Sequence, residues 1–145
     1  MQEQNFDNHK RLAPKSYYSG IFFGLLVMIG ALIKLFNNYR NHSEEILIPV
    51  LIAFLGLGLI LIGYYARMFA LIAQNRAIRS EENLRYFALT GKLLSKDLTL
   101  SQIIALRFAS DEEFVALADR AIKEGLSNKQ IKQSVKKWRA DFHRV

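Results

Sequence analysis

The sequence predicts an all-α membrane protein. It consists of a two-helix transmembrane hairpin, whose second helix extends into the cytoplasm, followed by a tail of three short helices. Two long apolar blocks occupy 17–36 and 46–66, lysine and arginine are unevenly distributed around them, and 96–145 contains repeated helix-start signals. Although 51% of the residues are hydrophobic, mean hydropathy is only +0.08. The apolar residues are therefore concentrated in blocks, as in a small membrane protein with a polar portion.

The chain opens with a polar arm, 1–16, which lacks apolar periodicity and carries Lys10, Arg11 and Lys15. We expect this arm to be flexible or interfacial. The apolar run that follows ends in Lys34-Leu35-Phe36-Asn37-Asn38, which is a poor signal-peptidase site. We therefore expect the segment to be retained in the mature protein.

The first predicted span, 17–36, has aromatic residues at both ends, where a helix meets the membrane–water interfaces. Lys34 is its only charged residue and lies near the end of the span. Its long stem can carry the ammonium to the headgroups, which favours snorkelling over a buried functional lysine.

The second predicted span, 46–66, carries no charged residue. At ~1.5 Å per residue, a helix of this length covers roughly 31 Å, about the thickness of the hydrocarbon core. Ser43 is a candidate N-cap for it. Pro49 predicts either a mild kink in the second turn or a helix that starts later, with Pro49 in its first turn.

The polar connector, 37–45, is short enough to force the two spans to run antiparallel. Three lysine or arginine residues precede the first span, the connector contains only Arg40, and fifteen follow residue 66. Because positive charge favours the cytoplasmic side, we predict that both termini are cytoplasmic. This bias is the favoured explanation of the net charge of +7. A surface that binds nucleic acid or acidic lipid is the less favoured one.

Small residues recur along both spans at spacings typical of packed membrane helices. The positions that we predict to pack are Gly20, Gly24, Ala31, Gly56, Gly63 and Ala70. Membrane helices associate by close packing at small residues, and a seven-residue spacing is that of a left-handed helix pair. The pattern leaves open whether this seam joins the hairpin or a second copy of the chain.

The juxtamembrane segment, 67–95, keeps a helical pattern and has no proline or glycine before Gly91. One possibility is a single helix that continues from the second span to about residue 94. The alternative is a break near Ser80, because Ser80-Glu81-Glu82 is typical of a new helix start.

The tail, 96–145, contains three candidate capping boxes, which begin at Thr99, Ser110 and Ser127. In each box the hydroxyl accepts a bond from a backbone N–H three residues later, while the Glu or Gln there reaches back. Gly125 suits the left-handed position that ends the second helix. The apolar stripe predicted for the third helix consists of Ile131, Val135, Trp138 and Phe142.

The opposite face of this last predicted helix is basic. The candidates for lipid or partner contact are Lys129, Lys132, Lys136, Lys137, Trp138 and Arg139. The simplest interpretation is a helix packed in the tail with its basic face solvated. Docking on anionic lipid is the first alternative, and nucleic acid is less favoured because no groove-reading module surrounds the helix.

No residue pattern indicates catalysis, a cofactor or a metal site. The chain has no cysteine, and it lacks the phosphate-binding G-x-x-x-x-G-K-[ST] loop and the G-x-S-x-G nucleophile turn. The histidines His9, His42 and His143 lack ligand-spaced partners, so we expect them at solvent or interface positions. The carboxylates at 111–113 open a helix, where stabilisation by the dipole is favoured over acid–base chemistry.

Two stretches, Leu106–Glu113 and Leu126–Trp138, together with the opening Gln4-Asn5-Phe6-Asp7-Asn8-His9, resemble a bacterial family of small two-span membrane proteins catalogued as a domain of unknown function. The resemblance covers nearly the whole chain. It implies a bacterial inner-membrane protein with a helical cytoplasmic tail, and it carries no activity, cofactor or catalytic residue.

Together these observations favour a non-enzymatic integral membrane protein that anchors a cytoplasmic helical interaction module. Its expected partners are membrane lipid and either another protein or a second copy, and no cofactor is expected. An accessory subunit of a membrane transport complex is the alternative.

Overall fold

The computed structural model describes residues 4–9 and 12–141. The helices are α1 (Lys15–Arg40), α2 (Leu47–Thr90), α3 (Leu100–Leu106), α4 (Asp111–Lys123) and α5 (Asn128–Ser134). The described residues contain no strand, and an isolated antiparallel bridge joins Ala109 to Trp138. The predicted all-helical fold class, with two long apolar helices followed by shorter ones, is confirmed.

The chain divides into two compact units. The hairpin unit is Leu12–Leu71, and the helical unit combines Met1–Arg11 with Ile72–Val145. Both α1 and α2 are long and apolar enough to cross a membrane.

In the hairpin unit, α1 exceeds the predicted span at both ends, and the turn that follows is therefore shorter than expected. Arg40 is the last residue of α1, and His42 adopts a positive φ of 51° in the turn. Ser43 does not cap α2, because its hydroxyl accepts from the amide of Glu45 before the helix begins at Leu47. Pro49 lies in the first turn, where its missing N–H leaves no helical bond unmade.

The second helix runs without a break from Leu47 to Thr90. The alternative of a break near Ser80 is therefore wrong, since the Ser80 hydroxyl donates to the carbonyl of Arg76 within the helix. The helix ends just before Gly91, whose φ of 71° reverses the chain. The side-chain oxygen of Asn83 then accepts from the amide of Leu94, which fixes the returning segment.

The core of the helical unit is built by the three short helices and the residues that flank them. Phe108, Phe114, Leu106 and Ile131 are its largest fully buried side chains. Tyr86 of α2 and Trp138 pack against this cluster from outside. The unit therefore has a hydrophobic centre of its own.

Two of the three predicted capping boxes form. Thr99 pairs with Gln102 and Ser127 pairs with Gln130, each through both reciprocal bonds. Gly125 has the expected positive φ, and the amide of Leu126 donates to the Ala121 carbonyl to close α4.

The box at Ser110 does not form, because its side chain makes no cap hydrogen bond. The Glu113 carboxylate does not return to the N-cap. It accepts from the backbone amides of Lys136 and Lys137 instead. A residue placed correctly for a local cap thus serves a tertiary contact.

The last predicted helix is shorter than the sequence suggested. It ends at Ser134, and Val135 is already extended, with φ −68° and ψ 121°. The chain then runs beside the end of α3: the amide of Ser110 donates to the Lys137 carbonyl, and that of Arg139 donates to the Phe108 carbonyl. These partners replace the helical bonds, so the predicted helix beyond Ser134 is wrong. Trp138 of the predicted stripe nevertheless packs against the core, and Phe142 lies outside the described residues.

Candidate functional site

Helices α1 and α2 approach each other closely at Gly24 and Gly56, both of which are buried. A Cβ built on Gly56 would lie 2.8 Å from the Met28 amide nitrogen and 2.9 Å from the Gly24 carbonyl oxygen. A Cβ on Gly24 would lie 2.8 Å from Cγ1 of Ile60 and 3.2 Å from the Gly56 carbonyl oxygen. Because backbone atoms cannot move aside, only glycine allows this contact between the helices.

The other predicted seam positions differ in how closely they are approached. Ala31 is 5% exposed and therefore buried, whereas Ala70 is half-buried. A Cβ at Gly63 would make an ordinary 3.8 Å contact with Ile21. Gly20 faces open space, with nothing within 4 Å of its Cβ position.

The six candidate contact residues near the C-terminus do not share one helical face. Lys129 and Lys132 lie on α5, whereas the other four follow it in the extended segment. Lys137 pairs with Glu112, and Arg139 lies 3.6 Å from Glu82. Lys136 is exposed, and Trp138 is half-buried against the core. The continuous basic face expected from the sequence is therefore divided among separate contacts.

The N-terminal segment 4–9 packs on the helical unit, which the sequence did not predict. Gln4 and His9 are only 8% and 7% exposed. The Gln4 side-chain oxygen accepts from the amide of Asp141, and the His9 ring lies 5.7 Å from that of Trp138. The expectations of a flexible arm and of a solvent-exposed His9 are therefore wrong for this segment.

A local turn prepares this segment for packing. The Asn5 side chain accepts from the amides of Asp7 and Asn8, and the Asn8 side chain accepts from the amide of Asn5. Such Asx turns are a recognisable use of asparagine. The clustered asparagines at 5–8 were therefore the available signal for an ordered turn, although nothing in them indicates its binding surface.

An arginine at the centre of the helical unit connects α2 to the start of α4. Arg85 donates to Asp111 at 2.6 Å, to Glu82 at 3.1 Å and to the Ala109 carbonyl at 2.8 Å. Its guanidinium also lies 4.3 Å from the Phe114 ring centre. One side chain thus joins two elements by charge, hydrogen bonding and a cation–π contact.

Beside Arg85 lies a polar cavity of about 280 Å³. Its lining consists of Glu81, Glu82, Arg85, Asp111 and Arg139. Burial raises the pKa of Glu82 above its ordinary value, and the neighbouring guanidinium groups of Arg85 and Arg139 partly offset that rise. The arrangement is an ion-pair network, and the described residues contain no group of three metal-ligating side chains.

The raised pKa of Glu82 predicts a pH-dependent stability. Folding favours the protonated carboxyl, so the contribution of Glu82 falls as pH rises from the ordinary carboxyl range through the raised folded pKa. The wild type should therefore lose stability relative to Glu82→Gln across that window. Chemical denaturation of the two proteins at several pH values measures the difference.

The matched control is Glu124→Gln, which alters a carboxylate in an exposed pair with Arg120. This variant should not reproduce the pH-dependent difference. A free-energy difference between wild type and Glu82→Gln that is independent of pH in the acidic range would contradict the role assigned to burial.

Comparison with known proteins gives a family without an assigned activity. No curated protein and no solved structure matches the chain. The model of the family of unknown function DUF6526 matches residues 1–145. Because that match spans the whole sequence, the chain belongs to the DUF6526 family.

Proposed function

We propose that this chain is a non-enzymatic integral protein of the bacterial inner membrane, whose hairpin anchors a cytoplasmic helical interaction module. The observation that carries the proposal is the exposure of the two apolar helices. Only 11% of the most hydrophobic window of each helix is buried. Large apolar side chains such as Phe22 and Ile62 are 57% and 68% exposed. Exposed apolar surface on this scale suits lipid rather than water.

The proposed orientation places both termini in the cytoplasm. Lysine and arginine are concentrated before the first span and after the second, as expected for cytoplasmic segments. The packing of residues 4–9 within the helical unit also supports a shared side. A segment that precedes the hairpin can reach this surface only when both lie on the same side of the membrane.

The roles of the charged groups support a binding module rather than an enzyme. Glu82 and Asp111 share Arg85, and Glu112 pairs with Lys137. Glu113 accepts two backbone amides. Each of these carboxylates has a structural partner, which is sufficient reason for its place in the fold.

Topology is tested by single cysteines in the naturally cysteine-free chain. Asn41→Cys in the exposed turn should react with an impermeant thiol reagent from the periplasmic side. Lys129→Cys on the helical unit should react only after the membrane is permeabilised. If Lys129→Cys is labelled in intact spheroplasts and Asn41→Cys is not, the proposed orientation is contradicted and the opposite one holds.

A second candidate function is an accessory subunit of a membrane transport complex. It is favoured by Gly30 and Gly58, whose Cβ positions have nothing within 4 Å. Such open small residues allow another membrane helix to approach closely. Purification in mild detergent distinguishes the two candidate functions. An accessory subunit should co-purify with a stoichiometric multi-span partner, whereas the first candidate function does not require one.

A further inference from the structure

The part of α2 within the helical unit has one buried face. Ile78 and Glu82 are 6% and 4% exposed, and Arg85 and Tyr86 are half-buried on the same side. Tyr86 packs against the core of its own chain, and Glu82 and Arg85 belong to the ion-pair network. Because of their spacing, these residues lie on one side of α2, the side that is turned toward its own unit.

The opposite face of the same helix carries an exposed stripe. Its members are Ala73, Ala77, Ser80, Leu84 and Phe87, all of which are exposed. Their spacing alternates between four and three residues, which is the a/d pattern of a two-stranded coiled coil. Leu84 and Phe87 are 68% and 50% exposed. The hydroxyl of Ser80 is already bonded to the Arg76 carbonyl, so packing over Ser80 leaves no donor unmade.

The charges beside the stripe are complementary to those of another copy. With Ala77 and Leu84 as a positions, Arg76 occupies g and Glu81 the following e position. In a parallel pair, g of one helix faces the next e of its neighbour, so Arg76 meets Glu81 of the other copy. Two-fold symmetry repeats this opposite-charge pair. Both residues are exposed, and they lie on opposite sides of the stripe.

We propose that this stripe is the contact surface for a second copy of the chain, which forms a parallel dimer through residues 73–87 of α2. This inference rests on the proposed membrane anchoring, because two copies inserted in the same direction present this segment in parallel. The partner of the interaction module is then the same module in a second copy of the chain. The charge pair then favours alignment of the two helices without a shift in register.

The test uses full-length single-cysteine variants in native membranes. Leu84→Cys and Ala77→Cys should form disulfide-linked dimers on mild oxidation. Arg79→Cys is the matched control, because residue 79 is also exposed but falls at a c position outside the stripe. Equal crosslinking at all three positions, or none at residues 77 and 84, would overturn the proposal. A dominant adduct with a different protein would also overturn it.

A charge swap tests the register. In the Leu84→Cys background, Arg76→Glu should greatly reduce the dimer, because two Glu–Glu pairs replace the two Arg–Glu pairs. Adding Glu81→Arg should restore it, since both pairs re-form with reversed charges. Failure of the double variant to recover would contradict the g–e′ alignment.

The same membranes distinguish this proposal from the anchoring on which it rests. If the chain resists alkaline extraction but residues 77 and 84 do not crosslink, anchoring stands and self-association fails. If the chain is extracted as a peripheral protein, anchoring itself fails.

Discussion

Gly56→Leu is expected to separate the two helices of the hairpin. A Cβ at this position already lies within 3 Å of backbone atoms of α1, and a leucine adds three further carbons. Overpacking typically costs ~1–3 kcal/mol, and the effect should lie at the upper end because backbone, rather than a side chain, must move. Unfolding in mixed detergent micelles should therefore begin at a lower denaturing-detergent fraction.

The control is Gly58→Leu, two residues along the same helix. Its Cβ position has nothing within 4 Å, so a leucine there should leave the hairpin intact. Gly63→Leu should be intermediate, because a Cβ there makes only a 3.8 Å contact with Ile21. Equal destabilisation by the substitutions at residues 56 and 58 would contradict the close approach assigned to Gly56.

Leu106→Ala is expected to destabilise the helical unit by ~2–5 kcal/mol, the range for truncation of a buried leucine. Leu106 is 0% exposed at the centre of the core. Since small domains have total stabilities of ~5–15 kcal/mol, this is a large share. Amide hydrogen exchange of the full-length protein should show faster exchange throughout α3 and α4.

The matched control is Leu93→Ala, which removes the same atoms from a side chain that is 66% exposed. It should change exchange little, because most of that leucine is already outside the core. If both substitutions accelerate exchange in α3 equally, the core is assigned wrongly. Trp138→Ala should lower the free energy of unfolding by less than truncation of a fully buried aromatic residue would, because Trp138 is only half-buried.

The caps show where local sequence is sufficient. At Thr99 and Ser127, the acceptor hydroxyl and its glutamine lie within one turn, so both boxes could be predicted and both form. At Ser110, an equally good local pattern fails because the Glu113 carboxylate bonds distant amides. Residues 136–137 lie more than twenty positions away, which no capping rule takes into account.

The seam shows a similar limit. The sequence identified Gly24 and Gly56 as packing positions, together with four other small residues. Only the packed helix pair shows that α1 and α2 approach closely at these two glycines and that Gly20 faces open space. The positions of glycines in the sequence indicate where two backbones can approach. Where the helices actually cross depends on how all the side chains on their facing surfaces fit together.

The sequence by itself determined the all-helical class, the two long apolar helices and the starts of the three short ones. These features depend on hydrophobic length and on contacts within one turn. Only the tertiary structure decided the end of α5 at Ser134, the partners of Arg85 and the packing of residues 4–9. In each case a polar or charged group bonds a partner far away in the sequence, and Arg85 keeps its local partner Glu82 as well. These distant bonds satisfy polar groups that the folded core would otherwise leave unpaired.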